Sequence, residues 1–104
     1  MFETIKKILG LSPAVNYKLL FLKGAMIIDV RTTQEYKSGH INGSINIPLN
    51  LLNQKFGQIQ KDIPLIVCCA SGMRSASAKS ILRSNGFSEV YNGGGWMSLN
   101  SKLK

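Results

Sequence analysis

Two adjacent thiols, Cys68 and Cys69, close a short apolar run, and an arginine, Arg74, follows after Ala70, Ser71, Gly72 and Met73. The run Leu65-Ile66-Val67-Cys68 has the length and branched side chains of a buried strand that ends at Cys69. From Arg74 an alanine- and serine-rich segment places Ala78, Ile81 and Leu82 on one helical face. The stretch therefore reads as strand, tight loop, helix. The first amides of a helix have no carbonyl partners. In a compact turn such N–H groups point inward and hold an anion. A thiol placed there ionises readily, because the thiolate is the anion being held. Gly72 gives the loop its backbone freedom. Arg74 adds a fixed charge with donors in a rigid fork. The chemistry this favours is attack by an anionic sulfur. A plainer account makes both cysteines packing residues, as free cysteine commonly is. Neighbouring strand residues face opposite sides, so Cys68 can be the core thiol while Cys69 faces the loop.

Such a loop needs a strand to deliver it and a helix to complete it. Asn85-Gly86 closes that helix, with Gly86 in the left-handed position and Phe87 folding back. Upstream, Ala25-Met26-Ile27-Ile28-Asp29-Val30 lacks polar alternation, as a parallel strand covered on both faces should. Thr32 to Glu35 forms a capping box that starts a short helix carrying Tyr36. Asn42-Gly43 is a turn, and Ile45-Asn46-Ile47 is a very short strand cut by Pro48. Leu49, Leu51, Leu52 and Phe56 predict a helix against the core that ends at Gly57. Asn16 to Leu22 is ambiguous and leans helical. Glu89-Val90-Tyr91 is a last short strand, Asn92-Gly93-Gly94-Gly95 a sharp loop, and Trp96 to Leu99 a terminal helical turn. The alternation predicts an α/β fold with a small, mostly parallel central sheet and helices on both faces. Sites in such sheets lie at the carboxyl ends of strands. The Asp29-Arg31 segment, the Cys69 loop and the triple-glycine loop are therefore expected to converge.

The chain has 104 residues, enough for a single domain spanning residues 1–104. Apolar residues make up 44% and charged residues 17%, a globular rather than disordered mixture. Thirteen basic side chains against five acidic ones give +8, which favours anionic partners, an acidic protein acceptor among them. The lysines are scattered, with no dense arginine cluster or zinc-finger spacing, so no nucleic-acid partner is expected. Two adjacent cysteines form no disulfide framework and suit a reducing, cytoplasmic setting. No apolar run approaches a membrane-spanning length, and no membrane partner is expected. Residues 1–12 read as a short amphipathic helix and its connection, with Phe2, Ile5, Ile8 and Leu9 interleaved with charge. The size suits a monomer or small dimer.

From about Ala25 to Leu99 (the core, 25–99) the chain resembles the rhodanese, or sulfurtransferase, family, in its small single-domain bacterial form. Asp29-Val30-Arg31 with Glu35-Tyr36 is similar to one family segment. Gly39-His40-Ile41 and Gly43 to Pro48 are similar to a second. Cys69-Ala70-Ser71-Gly72-Met73-Arg74-Ser75 is similar to the family's active loop. Gly86-Phe87, Val90-Tyr91-Asn92 and the glycines before Trp96 are similar to its ending.

The resemblance implies a thiosulfate sulfurtransferase-like enzyme without cofactor or metal. Cys69 would be the nucleophile. It would accept sulfane sulfur from a small anionic donor, thiosulfate or a persulfide, and yield it to a thiol or cyanide. Ala70, Ser71, Gly72, Met73 and Arg74 would bind the substrate, the amides of Ser71 to Arg74 holding the persulfide. Asp29, Arg31 and His40 are expected to support the site, with Arg31 pairing to Asp29 or Glu35 and His40 more structural than catalytic. Trp96 is expected to anchor the core. The neutral side chains of Ala70, Ser71 and Met73 make thiosulfate a poor match to this loop. Cys68, where the family often has tyrosine, is expected to be buried, or to resolve an oxidised Cys69. A non-catalytic persulfide-carrying or partner-binding module (a sulfur relay) is the alternative. A cysteine phosphatase or arsenate reductase, with five residues between cysteine and arginine rather than four, fits less well.

Overall fold

A computed structural model describes residues 14–104, so the amphipathic helix expected over residues 1–12 lies outside the described residues. Four strands, β1 (Met26–Asp29), β2 (Ile45–Asn46), β3 (Leu65–Cys69) and β4 (Val90–Gly95), form one sheet in the order β2-β1-β3-β4. Every pairing in it is parallel. The helices are α1 (Tyr17–Leu22), α2 (Thr33–Ser38), α3 (Met73–Ser84) and α4 (Trp96–Lys102).

Strand alternation splits the interior in two. One face of the sheet presents Ile28, Val30, Leu65, Val67, Cys69 and Val90 to Ala78 and Leu82 of α3, to Leu52 and to Phe87. The other presents Ile27, Ile66 and Cys68 to Leu99 and Trp96 of α4 and to Tyr17, Leu20 and Phe21 of α1. Helices thus cover both faces, as the apolar strands require. All five residues of β3 are buried, which makes it the sheet's fixed centre and Cys69 its carboxyl end. The α3 terminus behaves as its residues dictate: Gly86 has φ +93°, and the Phe87 amide donates to the Leu82 carbonyl at 3.1 Å.

Two expectations are corrected. Residues 49–57 do not form an α-helix but two 3-10 stretches, Leu49–Gln54 and Phe56–Gln58. Asn50, Asn53 and Gly57 weaken an α-helix there. The three-residue turn still brings Leu49 and Leu52 to the same side, against the core. The glycine segment is not a loop: β4 continues through Gly95, pairing Cys68 with Gly94 and Cys69 with Gly95 after a register shift at Val67/Cys68. The glycines serve close approach. A Cβ on Gly93 would lie 2.8 Å from Leu99 Cδ2 and 3.1 Å from the Val67 carbonyl oxygen. One on Gly95 would lie 2.9 Å from the Ala70 carbonyl oxygen.

Candidate active site

Beyond Cys69 the chain turns sharply and enters α3. Gly72 makes the turn at φ +107°, a conformation that strains any side-chain-bearing residue. The turn aims main-chain N–H groups back at the sulfur. The Gly72 amide donates to Cys69 Sγ at 2.9 Å and the Ser75 amide at 3.4 Å, while Ser75 Oγ stands 3.4 Å away. Cys69 is only 1% exposed. Burial pushes its thiol pKa up, but hydrogen bonds from the Ser75 hydroxyl and from the amides of Ser75, Gly72 and Ser71 outweigh it. The thiol therefore ionises below its ordinary value. The Ser75 proton is shared with two oxygens, Asn92 Oδ1 at 2.6 Å and the Gly72 carbonyl at 3.1 Å. The amide protons are fixed in place, so they hold the thiolate more steadily.

The cup is fastened to β4 by Asn92. Its Oδ1 accepts from Ser75 Oγ and, at 3.0 Å, from the Gly94 amide; its Nδ2 donates to the Gly72 carbonyl at 3.3 Å. Neither Ser75 nor Asn92 stands out as a site residue from the sequence. The signal for Asn92 was a polar side chain between the apolar Val90-Tyr91 and three glycines.

The predicted site residues fall in three places. Gly72 shapes the cup, and the side chains of Ala70, Ser71 and Met73 are exposed at its rim, Met73 being 81% exposed. Arg74 turns outward instead. Its Nη1 and Nη2 donate to the two carboxylate oxygens of Glu35 on α2 at 2.7 and 3.0 Å. That pairing holds the Glu35 carboxyl down at about 2, with the Thr32 amide helping. Glu35 also completes the capping box with Thr32. A groove of about 280 Å³ lies beside Arg74, lined by Val30, Thr32, Pro48, Leu49 and Asn50.

Asp29 and Arg31 lie on the opposite face of the sheet from Cys69. Arg31 Nε donates to Asp29 Oδ1 at 2.9 Å and Nη2 to Oδ2 at 2.6 Å. Two further guanidinium protons go to the carbonyls of Gly39 at 2.7 Å and Glu35 at 3.3 Å, and the Trp96 ring lies 4.7 Å below. The pair is a strut that fixes α2, and so Glu35, against the sheet. Arg31 thus meets Glu35 through its carbonyl, while its carboxylate partner is Asp29. His40 is exposed, stacked on Tyr36 at 3.7 Å, with Nδ1 donating to the Tyr36 carbonyl at 2.7 Å. None of these contacts reaches the Cys69 loop. Cys68 is fully buried, and burial beside Asp29 pushes its thiol up to about 12. Of the expected convergence, the glycine strand meets the Cys69 loop; the Asp29 and Arg31 side chains do not, and the loop is met on that side by Glu35 of α2 instead. Among the described residues no cluster of His, Cys, Asp or Glu could hold a metal ion, and no helix is long and apolar enough to cross a membrane.

The fold is a parallel α/β sheet whose central strand ends in an amide-cupped thiol. The Rhodanese-like domain model matches residues 12–102. YqhL of Bacillus subtilis (strain 168) is 42% identical over 81 residues, 77% of this chain and 64% of that protein. The thiosulfate sulfurtransferase GlpE of Ectopseudomonas mendocina is 41% identical over 68 residues, 65% of this chain and 62% of that one. The matched stretch thus spans under two thirds of these relatives' own length. A solved structure, a rhodanese with anions from E. coli, superposes with a TM-score of 0.68 at 34% identity, covering 72% of this chain and 91% of that one. The chain belongs to the rhodanese-like domain family.

Proposed function

We propose that this protein is a sulfurtransferase working through a Cys69 persulfide. The Cys69 thiolate attacks the outer sulfur of a donor. With thiosulfate, the sulfur–sulfur bond breaks and sulfite leaves with the electron pair. With an organic persulfide, the donor's thiolate leaves. An acceptor thiolate or cyanide then attacks the outer sulfur of the enzyme persulfide, and the Cys69 thiolate is the leaving group. Two transfers replace one difficult one. The same site serves both, because a thiolate and a persulfide differ by one sulfur atom and carry the same charge. Fixed N–H donors need no reorganisation between them. In the loaded state the amides of Met73 and Arg74, in the first turn of α3, would extend the cup outward.

The observation that carries this reading is the pair of amides, Gly72 and Ser75, donating to the Cys69 sulfur at 2.9 and 3.4 Å. Intact-mass spectrometry after exposure to thiosulfate or a persulfide tests it. The expected result is a gain of one sulfur, lost on adding a thiol or cyanide and absent in Cys69→Ser. A protein that gains no sulfur from either donor would end the proposal.

A further inference from the structure

The rim of the site carries a charge arrangement that bears on the donor. We propose that Glu35 sets the donor preference of the Cys69 site: by occupying Arg74 it disfavours dianionic thiosulfate relative to an organic persulfide. This rests on the sulfurtransferase reading above.

Arg74 is the loop's one cation, and both of its terminal nitrogens are taken by the Glu35 carboxylate at 2.7 and 3.0 Å. The other rim side chains, Ala70, Ser71 and Met73, are uncharged. The adjoining groove is walled by Val30, Pro48 and Leu49 with Thr32 and Asn50. Arg31 is committed to Asp29 on the other face of the sheet. Glu35 is also held in place. Its carboxylate accepts from the Thr32 amide at 3.0 Å, and its carbonyl accepts from Arg31 at 3.3 Å. The carboxylate is therefore a built part of the rim.

The two donors ask different things of that rim. Thiosulfate arrives as a dianion and releases sulfite, also a dianion, so both binding and departure call for an unpaired cation. An organic persulfide delivers the same sulfur and releases one thiolate attached to a carbon chain. Its apolar part suits the exposed Met73 side chain and the half-exposed Pro48 and Leu49. A carboxylate on Arg74 opposes the first donor more than the second, through both the lost cation and direct repulsion.

The test compares kcat/KM for thiosulfate and for cysteine persulfide in the wild type, Glu35→Gln, Arg74→Gln and the double variant. Glutamine keeps the capping box, and a thermal melt confirms folding. The wild type is expected to prefer the persulfide. Glu35→Gln is expected to raise the thiosulfate-to-persulfide ratio by roughly tenfold, an effect that added salt reduces. Arg74→Gln alone leaves an unpaired carboxylate at the rim and is expected to lower the ratio. In the Arg74→Gln background, Glu35→Gln should recover less than it gains in the wild type. A ratio that stays level or falls in Glu35→Gln, or rises in Arg74→Gln, overturns the assignment. Cys69 loading read by mass separates the two failures. If Cys69 loads but the ratio does not move, the role of Glu35 falls alone. If neither donor loads Cys69, the sulfurtransferase reading falls with it.

Discussion

Cys69 and Cys68 share a strand, yet their thiols are pushed in opposite directions because side chains alternate across a sheet. Cys69 meets N–H donors at the strand's end and ionises more readily; Cys68 is buried beside Asp29, which together outweigh the nearby Arg31 and push it up to about 12. The rate of alkylation of the native protein should therefore rise with pH through a midpoint below that of a free thiol, with the label on Cys69 alone by mass mapping. Ser75→Ala should move that midpoint upward, since it removes one of the hydrogen bonds that offset burial. Cys68 has a stability counterpart. Its folded pKa is raised, so its contribution is complete below the ordinary thiol range and drains away as pH climbs towards about 12. Urea midpoints should fall over that interval, and fall less in Cys68→Ala. The same geometry argues against a resolving role for Cys68. The two sulfurs lie on opposite faces of β3, in separate cores.

Two elements set the cup's shape, β4 from one side and α2 from the other. Gly95 passes so close to the Ala70 carbonyl that a Cβ would stand 2.9 Å from it. Gly95→Ala should displace the Cys69 loop and lower kcat/KM by about 10²-fold, the effect of a misplaced reacting group. Gly94→Ala meets open space but holds φ +81°. It should instead cost about 1–2 kcal/mol of stability, from left-handed strain, with a smaller effect on rate. Denaturation midpoints and persulfide kinetics on both variants separate the two mechanisms. Helix α2 is six residues long and depends on its cap. Thr32→Ala should cost about 1 kcal/mol and loosen the Glu35–Arg74 contact as well.

Across the whole molecule, the buried Asp29–Arg31 pair ties the end of β1 to the Glu35 and Gly39 carbonyls of α2 and its C-cap, and to Trp96 on α4. Asp29→Ala would leave a guanidinium in the interior with carbonyl partners only. A loss of about 3–5 kcal/mol is expected for such an unpaired charge, measured by urea denaturation. Acid acts elsewhere. The Glu35 carboxyl is depressed to about 2, so its contribution is intact above the ordinary carboxylate range and is lost as pH falls through about 2. The rim contact is therefore expected to persist through mildly acidic pH, with Cys69 reactivity there limited by thiolate protonation.

The α/β class, the strand that delivers Cys69, the Thr32–Glu35 cap and the Gly86 helix stop were readable from the chain, because each follows from apolar runs and turn residues within a few positions. The thiol cup was readable too, since strand, glycine turn and helix start are contiguous. Two of its parts were less so: the Ser75 amide, which reaches the sulfur only through the pitch of α3, and Asn92, which braces the loop from another strand. The glycine run looked like a loop because close backbone approach and chain reversal call for the same residue. The partner of Arg74 was hidden for a related reason. Glu35 is far from it in sequence, and two arginines, Arg31 and Arg74, were open to it. Which one took the carboxylate was settled by the packing of α2 on the sheet, where Asp29 had already claimed Arg31.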